Sequence, residues 1–207
     1  AHAAMRDAVA RGAVGTVTAV RITYACWVGA DWAADNWRAD PARAGGGALM
    51  DLAPHGLDLV DAILGEPVVD VCAMTQRRVQ AYPVDDGALL IGRTASGVLV
   101  QMHVAYNCPE ALPRRRLEVV GTTGALVAER TMGQSPGGTL RRVCGRLGLE
   151  VPVAVPDAEA SPFARQMAAF ARWLRTGGDA FSLERDIHTM RLLHQAYRSC
   201  RRAEEAR

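Results

Sequence analysis

Apolar residues change their spacing several times along this 207-residue chain, and each change predicts an element. Met5 and Val9 fall at i and i+4 in an alanine-rich stretch that stops at Gly12, which predicts a helix from Ala3 to Arg11. From Thr16 to Val28 the run TVTAVRITYACWV is dense in β-branched and aromatic residues. It alternates through Val20, Ile22 and Tyr24, predicting a long strand with one buried face. The segment GADWAADNWRADPARAGGG that follows has no period and many Gly, Pro, Asp and Asn residues, so it predicts an extended loop. Loops of that length inside a compact domain usually carry function. A helical rhythm returns from Ala48 to Leu64 through Leu49, Leu52, Leu59, Val60, Ile63 and Leu64, closed by Gly65 and Pro67.

Short strands with turn punctuation come next: Val68 to Thr75, Ala88 to Thr94, Val98 to Tyr106, Arg116 to Val120 and Ala125 to Arg130, with weaker ones near Leu140 and Val151. The turns at ASG (Ala95) and GTTG (Gly121) predict hairpins, hence a largely antiparallel sheet. Two helices finish the chain. Ser161 and Pro162 start the first, whose stripe is Phe163, Met167, Phe170 and Leu174, ending at Gly177. Ser182 caps the second, whose stripe is Leu183, Ile187, Met190, Leu193 and Tyr197. Both stripes predict core-facing amphipathic helices. Strands that run together between helices predict an α+β fold: one open, largely antiparallel mixed sheet with helices covering one face, in a single domain over residues 1–207. No internal repeat or low-complexity segment is present.

Composition sharpens this picture in three ways. An apolar content of 49% is enough to build a core, and a net charge of +2 gives no field that implies nucleic acid or an anionic membrane as partner. All 24 cations are arginine, since the chain contains no lysine. The five cysteines, Cys26, Cys72, Cys108, Cys144 and Cys200, have no paired spacing and are read as small buried hydrophobes in a reduced protein. With no apolar run near the ~18 residues of a membrane span and no signal peptide, the expected location is cytoplasmic. The chain starts without methionine directly at a helix, as a fragment would.

Chemistry concentrates in GGGALMDLAPHGLDLVDAILGEP, from Gly45 to Pro67. Asp51, His55 and Asp58 stand at i, i+4 and i+7, which places them on one helix face. Because proline is comfortable only in a first turn, Pro54 implies a helix that begins near Asp51, with Asp51 partly capping it. The Asp51 carboxylate would then lie within hydrogen-bonding range of His55, as an orienting acid does beside a general acid or base. The three glycines allow a backbone to approach a bound ligand. A purely structural alternative stays open: Asp51 caps, His55 is satisfied by it, and Asp58 faces water. One histidine and two carboxylates are a thin ligand set for a metal, so none is expected. Neither GAVGTV nor GGGALM matches a dinucleotide or P-loop fingerprint. Arg114, Arg115 and Arg116 are read as a solvated strand edge.

The stretch WRADPARAGGGALMDLAPHGLDLVDAILGEP resembles the C-terminal domain signature of the Gfo/Idh/MocA oxidoreductases, with W-R, a G-G-G turn, D-x-x-x-H and a further Asp. ARGAVGTVTAVRI, VDDGALLIGRTASGVLVQMHVAY, RLEVVGTTGAL and LLHQAYRSCR are similar to the family's opening junction, its hairpins and its final helix, so that nearly all of the chain is covered.

That resemblance implies a substrate-binding and oligomerisation domain that works beside an N-terminal Rossmann domain holding NAD or NADP. His55 would be the acid or base acting on a sugar or polyol hydroxyl, oriented by Asp51, with Asp58 beside the substrate. Asn36, Trp37 and Arg38 would lie at the substrate, with Trp37 and Arg38 also near the cofactor. The exposed sheet face would make a homo-oligomer. The dinucleotide domain and the family's E-K-P lysine are absent from this chain, so it is not expected to catalyse redox chemistry alone. A free-standing dimerisation or scaffold domain is the alternative, and non-redox net chemistry through the same His55 is a third possibility.

Overall fold

In a computed structural model, which describes residues 1–178 and 181–205, the alanine-rich start forms α1 (His2–Ala10) and the β-branched run forms β1 (Val17–Ala25). The strand stops three residues earlier than its composition suggests, and Trp27 makes only an isolated bridge to Asn107. The expected loop is not wholly extended. It contains α2 (Ala30–Ala33), a 3₁₀ turn (Trp37–Ala39) and α3 (Pro41–Ala44), each too short to show a period. Local caps make them. The Asn36 side chain accepts from the Arg38 N–H at 3.0 Å, and the Asp40 carboxylate accepts from the Ala42 N–H at 2.9 Å, ahead of Pro41.

After α4 (Ala48–Leu64) come β2 (Val68–Gln76), β3 (Gly87–Thr94), β4 (Leu99–Ala105), β5 (Arg115–Gly121), β6 (Gly124–Glu129), β7 (Thr139–Cys144) and β8 (Glu150–Pro152), then α5 (Pro162–Thr176) and α6 (Leu183–Glu205). The strands form one sheet in the order β2-β3-β4-β1-β5-β6-β7-β8. Every neighbouring pair is antiparallel except β1 with β4, so the sheet is mixed and open. Arg114 to Arg116 therefore do not mark an edge. Strand β5 is interior, and the edges are β2 and β8.

Alternation along the strands gives the sheet one dry and one wet face. Val20, Ile22, Leu90, Val100, Met102, Leu117, Val119 and Leu126 point to the dry face and share one core with buried residues of α4, which lies on β1 to β4, of α6, which lies on β2, and of α1, which packs on α4. Gly56 lets α4 lie close to β4, since a Cβ there would meet the Met102 side chain. Leu49, Leu52, Leu57, Val60 and Ile63 of α4 are buried, which offsets the about 3 kcal/mol that Pro54 costs inside a helix. The wet face carries an apolar area of Met74, Leu89, Ile91 and Leu99 on β2 to β4. It is charged across β5 to β7, where Arg116 and Arg141 both bond Glu129.

Two expectations about burial are corrected. Helix α5 has no buried residue: Phe163, Met167 and Leu174 are exposed, and Phe170, 38% exposed, packs its ring against Trp173 and Phe181. In α6 Leu193 is buried, while Leu183, Ile187 and Met190 are exposed. Periodicity marks which face of a helix is apolar and carries no information about what covers it. Among the cysteines only Cys200 is buried; Cys72 is exposed on the open sheet face, because an alternating strand puts it there. All five are free thiols. Among the described residues no helix is long and apolar enough to cross a membrane, and no group of three His, Cys, Asp or Glu is placed to hold a metal ion.

Candidate functional site

Helix α4 starts at Ala48, three residues before the position that Pro54 suggested, because a carboxylate from outside the helix caps it. Asp85 accepts from the Gly47 N–H and the Leu49 N–H, both at 2.8 Å, and its own carbonyl accepts from the Ala48 N–H at 2.9 Å. Asp51 is thus not the cap. The glycines serve the same joint rather than a ligand. Gly45 ends α3 with φ 75°, and a Cβ on Gly47 would overlap the Asp85 carbonyl. The Tyr197 hydroxyl from α6 donates to Asp85 at 2.7 Å, which ties the helix start to the chain's last helix. Burial and the Asp85 charge raise the Tyr197 phenol above its ordinary value.

The next residue holds the neighbouring loop. Asp86 is fully buried and accepts from the N–H groups of Arg78, Val79 and Gln80 at 3.0, 2.6 and 2.8 Å, and from the Asn107 amide at 3.1 Å. Burial pushes its carboxyl up, but these bonds outweigh it and hold the group below its ordinary value. Neither aspartate stood out in the sequence. The only signal is VDDG, a turn-like pair ahead of a strand.

From that fixed start, α4 presents Asp51 and His55 to a cavity of about 430 Å³, also walled by Tyr24, Trp32, Arg38, Tyr106 and Arg115. Asp51 accepts from Arg38 Nε at 3.4 Å, and among the described residues no hydrogen bond joins Asp51 to His55. The expected Asp51–His55 contact is therefore replaced: the guanidinium competes for the carboxylate, leaving the imidazole open. His55 is exposed and meets the Tyr24 ring edge to face, centroids 5.7 Å apart. It also lines an adjoining cavity of about 360 Å³ with Asp58, Gln134, Phe163 and Gln166.

Asp58 bonds Arg185 of α6 at 2.5 Å, while its side chain remains 56% exposed. Asn36 and Trp37 line neither cavity. Asn36 caps the 3₁₀ turn, and the Trp37 ring lies under the Arg38 guanidinium at 4.6 Å, with the indole 44% exposed. Among the cavity residues that sequence reasoning missed are Tyr24, Trp32, Tyr106 and Arg115. Tyr106 is 2% exposed, and its hydroxyl has no hydrogen-bond partner among the described residues. Burial and the Asp51 charge raise its phenol far above the ordinary value. A side chain like that stays protonated, so its O–H remains available as a donor. Burial likewise raises the Cys26 thiol, which disfavours its thiolate.

An open imidazole on a helix, a mixed sheet bare on one side and an aromatic rim define a class that the family comparison supports. Residues 2–127 match the GFO/IDH/MocA C-terminal domain, and the chain belongs to that family of oxidoreductases. It is 33% identical over 141 residues to a 1,5-anhydro-D-fructose reductase from Ensifer adhaerens, a match that covers 68% of this chain and 41% of that protein. Its fold is that of an aldose-aldose oxidoreductase from Caulobacter crescentus complexed with glycerol (TM-score 0.81, 23% identity, 98% of this chain and 58% of that one). It is also that of a levoglucosan dehydrogenase complexed with NADH and levoglucosan (TM-score 0.78, 20% identity, 97% and 60%). The chain thus spans well under two thirds of these relatives' length.

Proposed function

We propose that residues 1–207 form one substrate-binding and oligomerisation domain of a nicotinamide-dependent oxidoreductase acting on a sugar or polyol hydroxyl or the matching carbonyl. The observation that carries this reading is the His55 imidazole, exposed and without a hydrogen-bond partner among the described residues, at the junction of two sugar-sized cavities. The structural relatives complexed with glycerol and with NADH and levoglucosan point the same way.

His55 takes up or gives back the proton of the reacting hydroxyl. Tyr24 limits the swing of its ring. Arg38, held by Asp51 and stacked on Trp37, is a fixed cationic wall, and Tyr106 donates from the floor. Asp58 fixes α4 against α6 and so orients the far cavity. NAD or NADP, held mainly by a dinucleotide domain, would supply the hydride chemistry, with Trp37 and Arg38 the residues of this chain that would lie beside it. The exposed Trp37 indole and the Arg38 guanidinium fit the flat, partly anionic edge of such a group. The five unbridged thiols support a cytoplasmic setting. The apolar area of Met74, Leu89, Ile91 and Leu99 supports self-association through the open sheet face.

The test is His55→Asn in the full-length protein. Loss of a general acid or base should lower kcat by roughly 100-fold or more while substrate binding persists. A wild-type rate would return His55 to a bystander role.

A further inference from the structure

Resting on the reading above, one cavity wall carries more positive charge than a neutral sugar requires. Arg38 and Arg115 both line the 430 Å³ cavity, and Asp51 is its one acidic residue. Arg38 already pairs with Asp51. Arg115 has no ion pair or side-chain hydrogen bond among the described residues, and its Nε is buried without a partner. The other two arginines of the triplet are engaged: Arg114 with Glu110, and Arg116 with Glu118 and Glu129.

The Arg115 side chain is nevertheless held in place. Its guanidinium carbon lies 5.7 Å from the centroid of the Tyr24 ring, the same ring that touches His55. Gly133 leaves room for its terminal nitrogen, since a Cβ there would collide with it. The Tyr106 hydroxyl is buried in the wall of the same cavity, close enough to Asp51 to feel its charge and without a well-formed hydrogen bond. Leaving such groups buried and unpaired is costly unless a ligand completes them.

We propose that Arg115, helped by Tyr106, receives a carboxylate carried by the substrate, so that the preferred substrate is a sugar acid rather than a neutral sugar or polyol. A guanidinium fork matches the two oxygens of a carboxylate. With Arg38 neutralised by Asp51, the wall offers one net positive charge, which suits a monoanion better than a phosphate ester of charge about −1.5 to −2.

The test uses the full-length protein with a hexose, the corresponding uronic acid and the hexose 6-phosphate. Initial rates are read with NAD and NADP, and binding of each sugar is read by calorimetry without turnover. Wild type should favour the acid over the hexose in kcat/KM by about 10-fold or more, and Arg115→Met should cut that ratio by about 30-fold, as for a hydrogen-bonded charge pair. Tyr106→Phe should cut it by a smaller factor. Melting curves establish that each variant is folded, and Arg115→Lys, which keeps the charge without the fork, serves if the methionine variant unfolds.

Equal use of acid and hexose, an unchanged ratio in Arg115→Met, or a preference for the phosphate ester would each overturn the carboxylate assignment. Acid-selective binding that depends on Arg115, with no turnover of any sugar, would uphold it and sink the oxidoreductase reading instead.

Discussion

Replacing Asp85 with alanine removes three hydrogen-bonded partners at once, and the structure sets the expected cost. The Gly47 and Leu49 N–H groups lose a charged acceptor, at about 1.5 kcal/mol each by the low end of charge-assisted bonds, and the Tyr197 hydroxyl loses its acceptor for about 1 kcal/mol. Asp85→Ala should therefore destabilise the protein by about 4 kcal/mol. For a domain of this size that is a fall in Tm of roughly 8–16 °C. Asp85→Asn keeps one acceptor oxygen but turns an amide N–H₂ toward a helix N–H, so it should cost about 2–3 kcal/mol. Urea unfolding followed by far-UV circular dichroism reads these values, with an unchanged slope as the sign that only stability moved. Tyr197→Phe adds a sharper criterion. In the wild-type background it should cost about 1 kcal/mol, and in Asp85→Ala almost nothing, because the bond is already gone. A loss below about 1 kcal/mol for Asp85→Ala would mean that water caps α4 as well as Asp85 does, and full additivity of the two changes would mean that the Tyr197–Asp85 bond contributes nothing.

Two further outcomes follow from the same geometry. Asp86 has a depressed folded pKa, so its contribution is complete above the unfolded carboxylate value of ~3.9 and vanishes as pH falls through the lower folded value. The stability gap between wild type and Asp86→Asn should be flat from pH 5 to 7 and close below about pH 4 in acid titrations; a gap that widens on acidification would contradict the assignment. Ile91→Asp, placed in the apolar area of the open face, should lower the mass seen by light scattering without lowering Tm through core damage, since Ile91 is 61% exposed; an unchanged mass would remove that face as the contact.

Most elements were legible because their causes are local. The bounds of α4 follow from the Leu49 to Leu64 rhythm and Gly65, and the strands from β-branched alternation, so each lands within a few residues of its predicted place. His55 was legible for the same reason, as a polar residue on the rim of an apolar helix. What escaped reading depends on residues distant in the chain. The acceptor for the start of α4 lies 38 residues beyond Gly47, and Tyr197 lies 112 beyond Asp85. The parallel pairing of β1 with β4 leaves no mark on either strand. An apolar stripe looks the same on α5, which stays exposed, as on α4, which is buried.

This division also separates the polar groups that build the site from those that act in it. Asp85 and Asp86 of VDDG are polar enough for chemistry, yet their carboxylates together accept seven N–H or O–H donors from the protein itself. Arg115 resembled a solvated edge charge, and Tyr106 and Tyr24 resembled core aromatics. In the folded chain Arg115 and Tyr106 hold donors without partners, and His55 stands open beside Tyr24. Residue type and spacing say which chemistry a side chain could perform, whereas unused hydrogen-bonding capacity says which side chains are free to perform it. By that criterion the three glycines and two aspartates are scaffold, and the working surface is His55 with Arg115 and Tyr106 around it.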